Sequence, residues 1–502
     1  MSTNRTTPPR SRRRARLVLA AAITAAAALT APVSQAAPAA AEKPATAEKP
    51  SPGAPGLGDP MFPLDGNGGY QVDRYYLDFD WQAPRTPFEA TTTIKARSTQ
   101  ALSRFNLDFG GNTLHTVTVN GTAALASRTG DELTVTPKSP IGKGSSFTVK
   151  VTYTADPTQT RHRDDAIEDY GWIPTPDGTV VYPQPNGSRL IFPGNDHPSQ
   201  RAPITFRITT PGDRTAVANG KLVSRTERPG GRVRWTYDSE QPLSTQLVQL
   251  AIGTFRLIDG EGPGGLPLRD VVPDSLVEPT AAYRALTPDH LKWLEGKLGP
   301  YPFDRYGVLV GDTDLGVALE TQTLSLVPKA DLLGTRVDAE RNLVHELTHQ
   351  WFGDSVALKS WSDLWLSEGH ARFYEREYSE QHGGDSFEAA MKTAYQAHDQ
   401  WRRDYGAPAE PTEPNLFKRM RYDGSALVLY ALREHVGDAT FQQIERAWVR
   451  GFKGRTASTQ QFVDLASKVA GQDLAGFLHP WLYGDRTPPM PGHPDWVVDP
   501  AT

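Results

Sequence analysis

The chain has 502 residues, 38% of them hydrophobic and 22% charged, which is ordinary globular composition and length for two to four domains with real cores. Its formal net charge is −5, and about −11 once the six arginines of residues 1–36 are set aside, so the composition argues against a nucleic-acid partner. It contains no cysteine, which excludes disulfide staples and thiolate metal ligands, and domains of this size bury adequate cores without them.

Residues 1–36 read as an export signal. Arg5, Arg10, Arg12, Arg13, Arg14 and Arg16 form a basic segment, Leu17 to Leu29 a short apolar core, and Ser34-Gln35-Ala36 a small-residue cleavage site. The apolar run is too short for a stable membrane span. Ser11-Arg12-Arg13 is half of a twin-arginine signal, so the general and twin-arginine export routes both stay open. A basic, Ala-rich leader without disulfides downstream suits a bacterial secreted protein. Residues 37–60 repeat Ala-Glu-Lys-Pro and carry almost no large apolar side chains, a composition expected for a disordered tether, with order beginning near Met61.

From 61 to 262 the signals are those of an all-β domain. Thr92, Ile94 and Ala96 alternate with polar neighbours, Val117-Thr118-Val119 runs into an Asn120-Gly121 turn, and Phe147, Val149, Val151 and Tyr153 fall on one face. His197 sits in a loop far in sequence from any other ligand candidate and is read as structural. Gly260 to Pro267, rich in Gly and Pro, is expected to mark a domain boundary. Beyond it the pattern turns helical, with a helix over 279–298, a strand over 306–310, a strand region over 316–326, and helices for most of the remainder, including 439–449 and 460–469. This second domain is expected to span 263–490, with residues 491–502 as a tail.

The chemistry is concentrated in His345-Glu346-Leu347-Thr348-His349. Two histidines four apart lie one helical turn from each other on one face, so two imidazole nitrogens can reach one ion, and Glu346 beside them can deprotonate a water that the metal activates. Leu343, Val344, Leu347 and Trp351 supply the apolar stripe, so the polar trio is not needed to make the helix. A catalytic zinc takes three protein ligands and leaves one position open. A third histidine at position 355, with Gly at 352, would mark another zinc-protease class, but Ser355 and Phe352 stand there. Glu368, separated from His349 by 18 intervening residues and carried on a helix beginning near Ser362, is the natural third ligand. One zinc ion is therefore expected on His345, His349 and Glu368.

The spacing His345-Glu346-x-x-His349-x(18)-Glu368, with His349-Gln350-Trp351-Phe352-Gly353-Asp354 and Trp361 to Gly369 around it, resembles the gluzincin aminopeptidases of the aminopeptidase N and leukotriene hydrolase type. Ser367 and His370 replace the Asn and Phe usual there, neither at a ligand position. Gly316 to Thr321 resembles the family element that lies along the substrate as an edge strand. The resemblance implies that Glu320 binds the substrate α-ammonium, that Ala318 lies along the substrate backbone, and that Gln184 reaches into the first substrate pocket. Val317, Leu319 and Thr321 depart from the family pattern. Tyr422-Asp-Gly-Ser-Ala-Leu-Val resembles the helix headed by a tyrosine that donates a hydrogen bond to the developing oxyanion, with Tyr430 the alternative.

The implied architecture is multidomain α+β: a saddle-like β domain followed by a thermolysin-like, mainly helical zinc domain, with no long C-terminal helical domain. The implied activity is release of N-terminal residues from peptides with a free N-terminus by a secreted monomer. A zinc endopeptidase with the same centre, a hydrolase of a non-peptide substrate and an inactive zinc-bound binding protein are the alternatives.

Overall fold

A computed structural model describes residues 48–162, 169–412 and 415–499. The expected export signal and the first part of the expected tether, residues 37–47, lie outside these. Alternation dictates the first half of the fold. In the strand Phe88–Ser98, Phe88, Ala90, Thr92, Ile94, Ala96 and Ser98 are all buried while the residues between them face out. This strand lies within an eight-stranded sheet ordered Lys221–Arg228, Arg232–Ser244, Arg201–Pro211, Tyr70–Asp80, Phe88–Ser98, Ser146–Ala155, Thr113–Val119 and Thr122–Ala123. All its pairings are antiparallel except that between Arg201–Pro211 and Tyr70–Asp80. Asn120 and Gly121, both at positive φ, turn the last hairpin. A five-stranded and a four-stranded sheet complete the β half around one core of side chains such as Phe79, Phe88, Trp172 and Phe206.

Gly260 to Pro267, expected to mark a domain boundary, forms a tight turn. It closes a hairpin between Phe255–Glu261 and Pro267–Pro273, which continues in parallel through Val308–Gly311 to Ser325–Pro328. Gly/Pro-rich segments mark tight hairpins as well as linkers, and the strand Phe255–Glu261 belongs with the second half. The β core runs on into this sheet through Val271, Leu309, Leu319 and Leu326. The expected helix over 279–298 is two helices, Val277–Arg284 and Thr287–Leu298. Pro288 sits in the first turn of the second, and a residue preceding proline resists helical continuation from the other side.

The described part of the expected tether, residues 48–60, is anchored to the fold. Ser51–Pro52 pairs in parallel with Leu102–Asp108, and Asp59 is 4% exposed. One Asp59 oxygen accepts from Met61 N, and the other lies 3.1 Å from His197 Nε2 and accepts from Ser360 Oγ and Trp361 N, each at 2.9 Å. The N-terminal arm, the His197 loop and the segment leading to Glu368 are thus tied at one carboxylate, which explains why His197 is structural. The described part of the expected tail, residues 491–499, is anchored by Trp496, which is 5% exposed and 6.1 Å, ring to ring, from Tyr430. Composition underestimated both segments because one buried polar or aromatic residue was enough to anchor them.

Burial would raise the Asp59 carboxyl, but hydrogen bonding from His197, Trp361 and Met61 outweighs it and holds the pKa at about 2 rather than 3.8. A folded-state pKa below the unfolded one gives stability that is present above the unfolded value and lost as pH falls through the folded one. Asp59→Ala should therefore cost about 3 kcal/mol in chemical denaturation at neutral pH. Its stability deficit relative to the parent should shrink as pH falls from about 4 toward 2. An unchanged deficit across that window would remove Asp59 from this role.

Candidate zinc centre and substrate cleft

Thr335 caps the helix Arg336–Thr348 by accepting from Asp338 N, and this helix carries His345, Glu346 and, at its C-cap, His349. Ser360 caps a short 3₁₀ turn, Trp361–Asp363, with the reciprocal Asp363 contact of a capping box, and the helix Trp365–Gln381 follows with Glu368 in its first turn. The two helices pack side by side. Gly369 allows a third, Ser425–Val436, to approach: a Cβ on Gly369 would come within 2.8 Å of Ser425 Cβ. This accounts for a small residue at 425. Gly353, at φ 116°, leaves room for Ser367 in the same way, since a Cβ there would meet Ser367 Oγ.

His345 Nε2 and His349 Nε2 are 3.2 Å apart, and each lies 3.4 Å from Glu368 Oε2. Zinc bonds of about 2.0–2.1 Å at a tetrahedral centre put neighbouring donor atoms about 3.3–3.4 Å apart, so the three atoms fit one zinc ion. Among the described residues they are the one such group of His, Asp or Glu side chains. Glu368 Oε2 is buried and has no hydrogen-bond donor there, as expected of an atom meant for a cation. Burial opposes charge on all three, yet their mutual attraction wins: His349 is drawn up to about 10 and His345 to about 8, while Glu368 falls to about 2. The donor set thus demands positive charge.

Each imidazole is oriented from behind. Ser367 Oγ donates to Phe352 O (3.0 Å), which leaves it free to accept from His349 Nδ1 (2.9 Å), and Phe352 O is also 3.1 Å from that nitrogen. The Nδ1–H tautomer follows, with the Nε2 lone pair facing inward. His345 Nδ1 lies 2.6 Å from Glu375 Oε2. Glu375 Oε1 in turn accepts from Arg372 at 2.6 Å, and the Arg372 guanidinium stands 5.4 Å from the centroid of the Tyr422 ring. Burial would raise the Glu375 carboxyl, but Arg372 and His345 hold it at about 2, so it stays charged. Ser367, read from sequence as a change outside the ligand set, touches a ligand.

A cavity of about 440 Å³ opens onto these donors, and its wall also includes Gln184, Ala318, Glu320, Glu346 and Tyr422. All eight site residues read from the sequence are therefore brought together, and Tyr430, packed on Trp496, is elsewhere. Glu346 Oε2 is buried without a hydrogen-bond partner among the described residues, and burial lifts the carboxyl to about 8, an effect that a nearby dication reverses. Tyr422 lies 6.1 Å, ring to ring, from His345, in a π-helical turn Met420–Gly424 that precedes Ser425–Val436. Burial raises its hydroxyl well above its ordinary value, so it keeps its proton. Gln184 Nε2 donates to Glu320 Oε1 at 2.8 Å. Residues 316–322 form one bridge, Leu319 to Leu326, rather than the expected strand, and their shape is held from the β half: Tyr182 donates to Ala318 O and Asn219 to Gln322 O.

Residues 286–481 match the peptidase family M1 domain and residues 71–247 the peptidase M1 N-terminal domain. The crystal structure of an M1 zinc metallopeptidase from Deinococcus radiodurans superimposes with a TM-score of 0.77 at 30% identity, over 87% of this chain and 98% of that one. This chain belongs to the M1 peptidase family. Among M1 relatives, aminopeptidase N of Streptomyces lividans is 23% identical over 82% of this chain and 50% of its own length. Endoplasmic reticulum aminopeptidase 1 of Rattus norvegicus is 25% identical over 61% of this chain and 35% of its own. The chain thus spans about a third to a half of these M1 relatives.

In this M1 chain, sequence reading found the ligands but missed Glu375 and Arg372. The signal was available: Glu375 is seven residues beyond Glu368, two helical turns along the same face. Glu375→Gln removes the charge behind His345 while keeping its size, and should weaken zinc binding about 10- to 100-fold in chelator competition. Unchanged zinc affinity would assign Glu375 to the Arg372 contact alone.

Proposed function

We propose that this chain is a zinc aminopeptidase acting on peptides with a free N-terminus. The observation that carries the reading is the buried Glu320 carboxylate, 5% exposed, fixed by Gln184 and lining the same cavity as the zinc ligands. A carboxylate aimed into a cleft otherwise specialised for amide hydrolysis matches an α-ammonium one residue from the scissile bond. The aminopeptidase relatives, and a mutant of the Deinococcus enzyme bound to the substrate Tyr-Ser-Ala, support it.

His345, His349 and Glu368 would hold the zinc ion, which would supply Lewis acidity to the scissile carbonyl and the attacking water. Glu346 Oε2, without a competing hydrogen bond, takes the proton from that water and delivers it to the leaving amine. Tyr422, held protonated by burial, donates to the oxyanion that forms as the water adds. Glu320 and Gln184 fix the substrate N-terminus, and the main chain at Ala318 borders the same cleft. Residues 1–36, with their arginine-rich start and small-residue cleavage site, support export from a bacterial cell.

The full chain should hydrolyse aminoacyl-4-nitroanilides but not their N-acetylated counterparts, lose the activity to a chelator and regain it with zinc. Cleavage of the acetylated set would make the enzyme an endopeptidase and detach Glu320 from ammonium binding. Glu346→Gln should abolish nearly all turnover, and Tyr422→Phe should lower kcat on the order of a hundredfold. A variant of either residue with parental kcat would refute its assigned role.

A further inference from the structure

Among the described residues the cleft wall contains the Lys and Arg side chains of Arg372, Lys418 and Arg419. Arg372 is committed to Glu375 and to Asp423, 3.8 Å away. Lys418 and Arg419 make no ion pair or side-chain hydrogen bond among the described residues. Their position is nevertheless built. Leu416, Met420 and Arg421 are fully buried on either side of them. The Arg421 guanidinium is spent on the carbonyls of Tyr405, Ala407 and Pro408, at 2.5, 2.7 and 3.0 Å. Arg421 N donates to Lys418 O, and Gly424 N to Arg419 O, so the main chain carrying the two cations is continuous with the π turn that carries Tyr422. A backbone pinned on both sides leaves Lys418 half-buried and Arg419 exposed, both against the cavity.

The same wall carries five carboxyl side chains, Glu320, Asp331, Glu346, Glu368 and Glu375, of which Glu368 faces the metal position and Glu375 is paired with Arg372. A free peptide is a zwitterion. On the aminopeptidase reading above, on which this inference rests, its ammonium is taken by Glu320. Its carboxylate would be repelled by the unpaired acids, and among the described lining residues Lys418 and Arg419 are the cations without an ion pair. We propose that Lys418 and Arg419 form a carboxylate-binding subsite that holds the far end of a short peptide, so that the enzyme selects free oligopeptides over long or C-terminally blocked chains. The cavity volume of about 440 Å³ lies toward the small end of ligand sites, which span about 300–1,000 Å³ and suits a peptide of few residues. A guanidinium and an ammonium carried by consecutive residues of a fixed backbone lose less entropy on binding than two cations on a free loop.

The test uses the full, zinc-loaded chain and three tripeptides with the same free N-terminus: a free acid, its C-terminal amide, and the amide with Asp as third residue. The free acid should exceed its amide in kcat/KM on the order of tenfold, as for a charge-assisted contact. The difference should sit in KM, since the contact is made equally in ground and transition states, and should narrow with added salt. The double variant Lys418→Gln with Arg419→Gln should bring the ratio of acid to amide to about one. Recovery by the Asp-containing amide would keep the carboxylate subsite and identify a side chain as its source, whereas no recovery assigns it to the C-terminus. A ratio near one in the parent, or a parental ratio in the double variant, would overturn the proposal. The aminopeptidase reading fails separately, by absence of cleavage of every free-amine peptide and nitroanilide.

Discussion

Three electron-rich atoms, two imidazole nitrogens and one carboxylate oxygen, are held 3.2–3.4 Å from one another in a buried site, and the rest of the molecule is arranged around that constraint. Their mutual repulsion is relieved only by positive charge, and burial makes it larger by removing solvent. Orientation cannot therefore be left to the ligands themselves. Ser367 and Phe352 fix one ring, Glu375 faces the back of the other, and Arg372 keeps Glu375 charged. The same guanidinium faces Tyr422, so the side chain that would meet the oxyanion shares its support with a ligand.

The helices carrying these groups are themselves tied to the β half at points that converge on the cleft. Asp59 joins the N-terminal arm to the segment just before Glu368, and Arg201 donates to the carbonyls of Asp354 and Ser355, just beyond His349. Asn219 and Tyr182 hold the 316–322 segment in a shape that no regular strand would supply. Glu320 is consequently placed by the β domain, through Gln184, as much as by its own domain. The cleft beside the metal ligands is thus shaped from both halves of the chain, joined by hydrogen bonds as well as by apolar contact.

Much of this was legible in the sequence because the chemistry imposes residue types at fixed spacing. His345, Glu346, His349 and Glu368 are readable from helical geometry and zinc coordination, and the strand Phe88–Ser98 from simple alternation. What escaped was held by single long-range contacts. Asp59 lies in a stretch whose composition says tether, and nothing local reveals that its carboxylate will meet His197 and Trp361. The hairpin at Gly260 to Pro267 carries the same residues as a linker and differs only in what flanks it. Ser367 and Glu375 were visible as residues but not as supports, because a hydrogen bond to the far side of a histidine leaves no periodic trace.

Tyr422 shows how the local and the global combine. A regular α-turn from Met420 would advance 100° per residue, whereas the π turn there inserts one residue and rotates those before it relative to Ser425–Val436. The helix can then pack its Ser425 against Gly369, as the close approach of the two helices requires, while Tyr422 still turns into the cleft beside His345. Arg421 holds the turn by filling three carbonyls from residues 405–408, and in doing so leaves Lys418 and Arg419 facing the same space. One irregular turn thereby places both Tyr422, the proposed proton donor to the oxyanion, and the two cations that have no ion pair among the described residues, so on the readings proposed above the reacting bond and the peptide's far end would be positioned by the same piece of backbone.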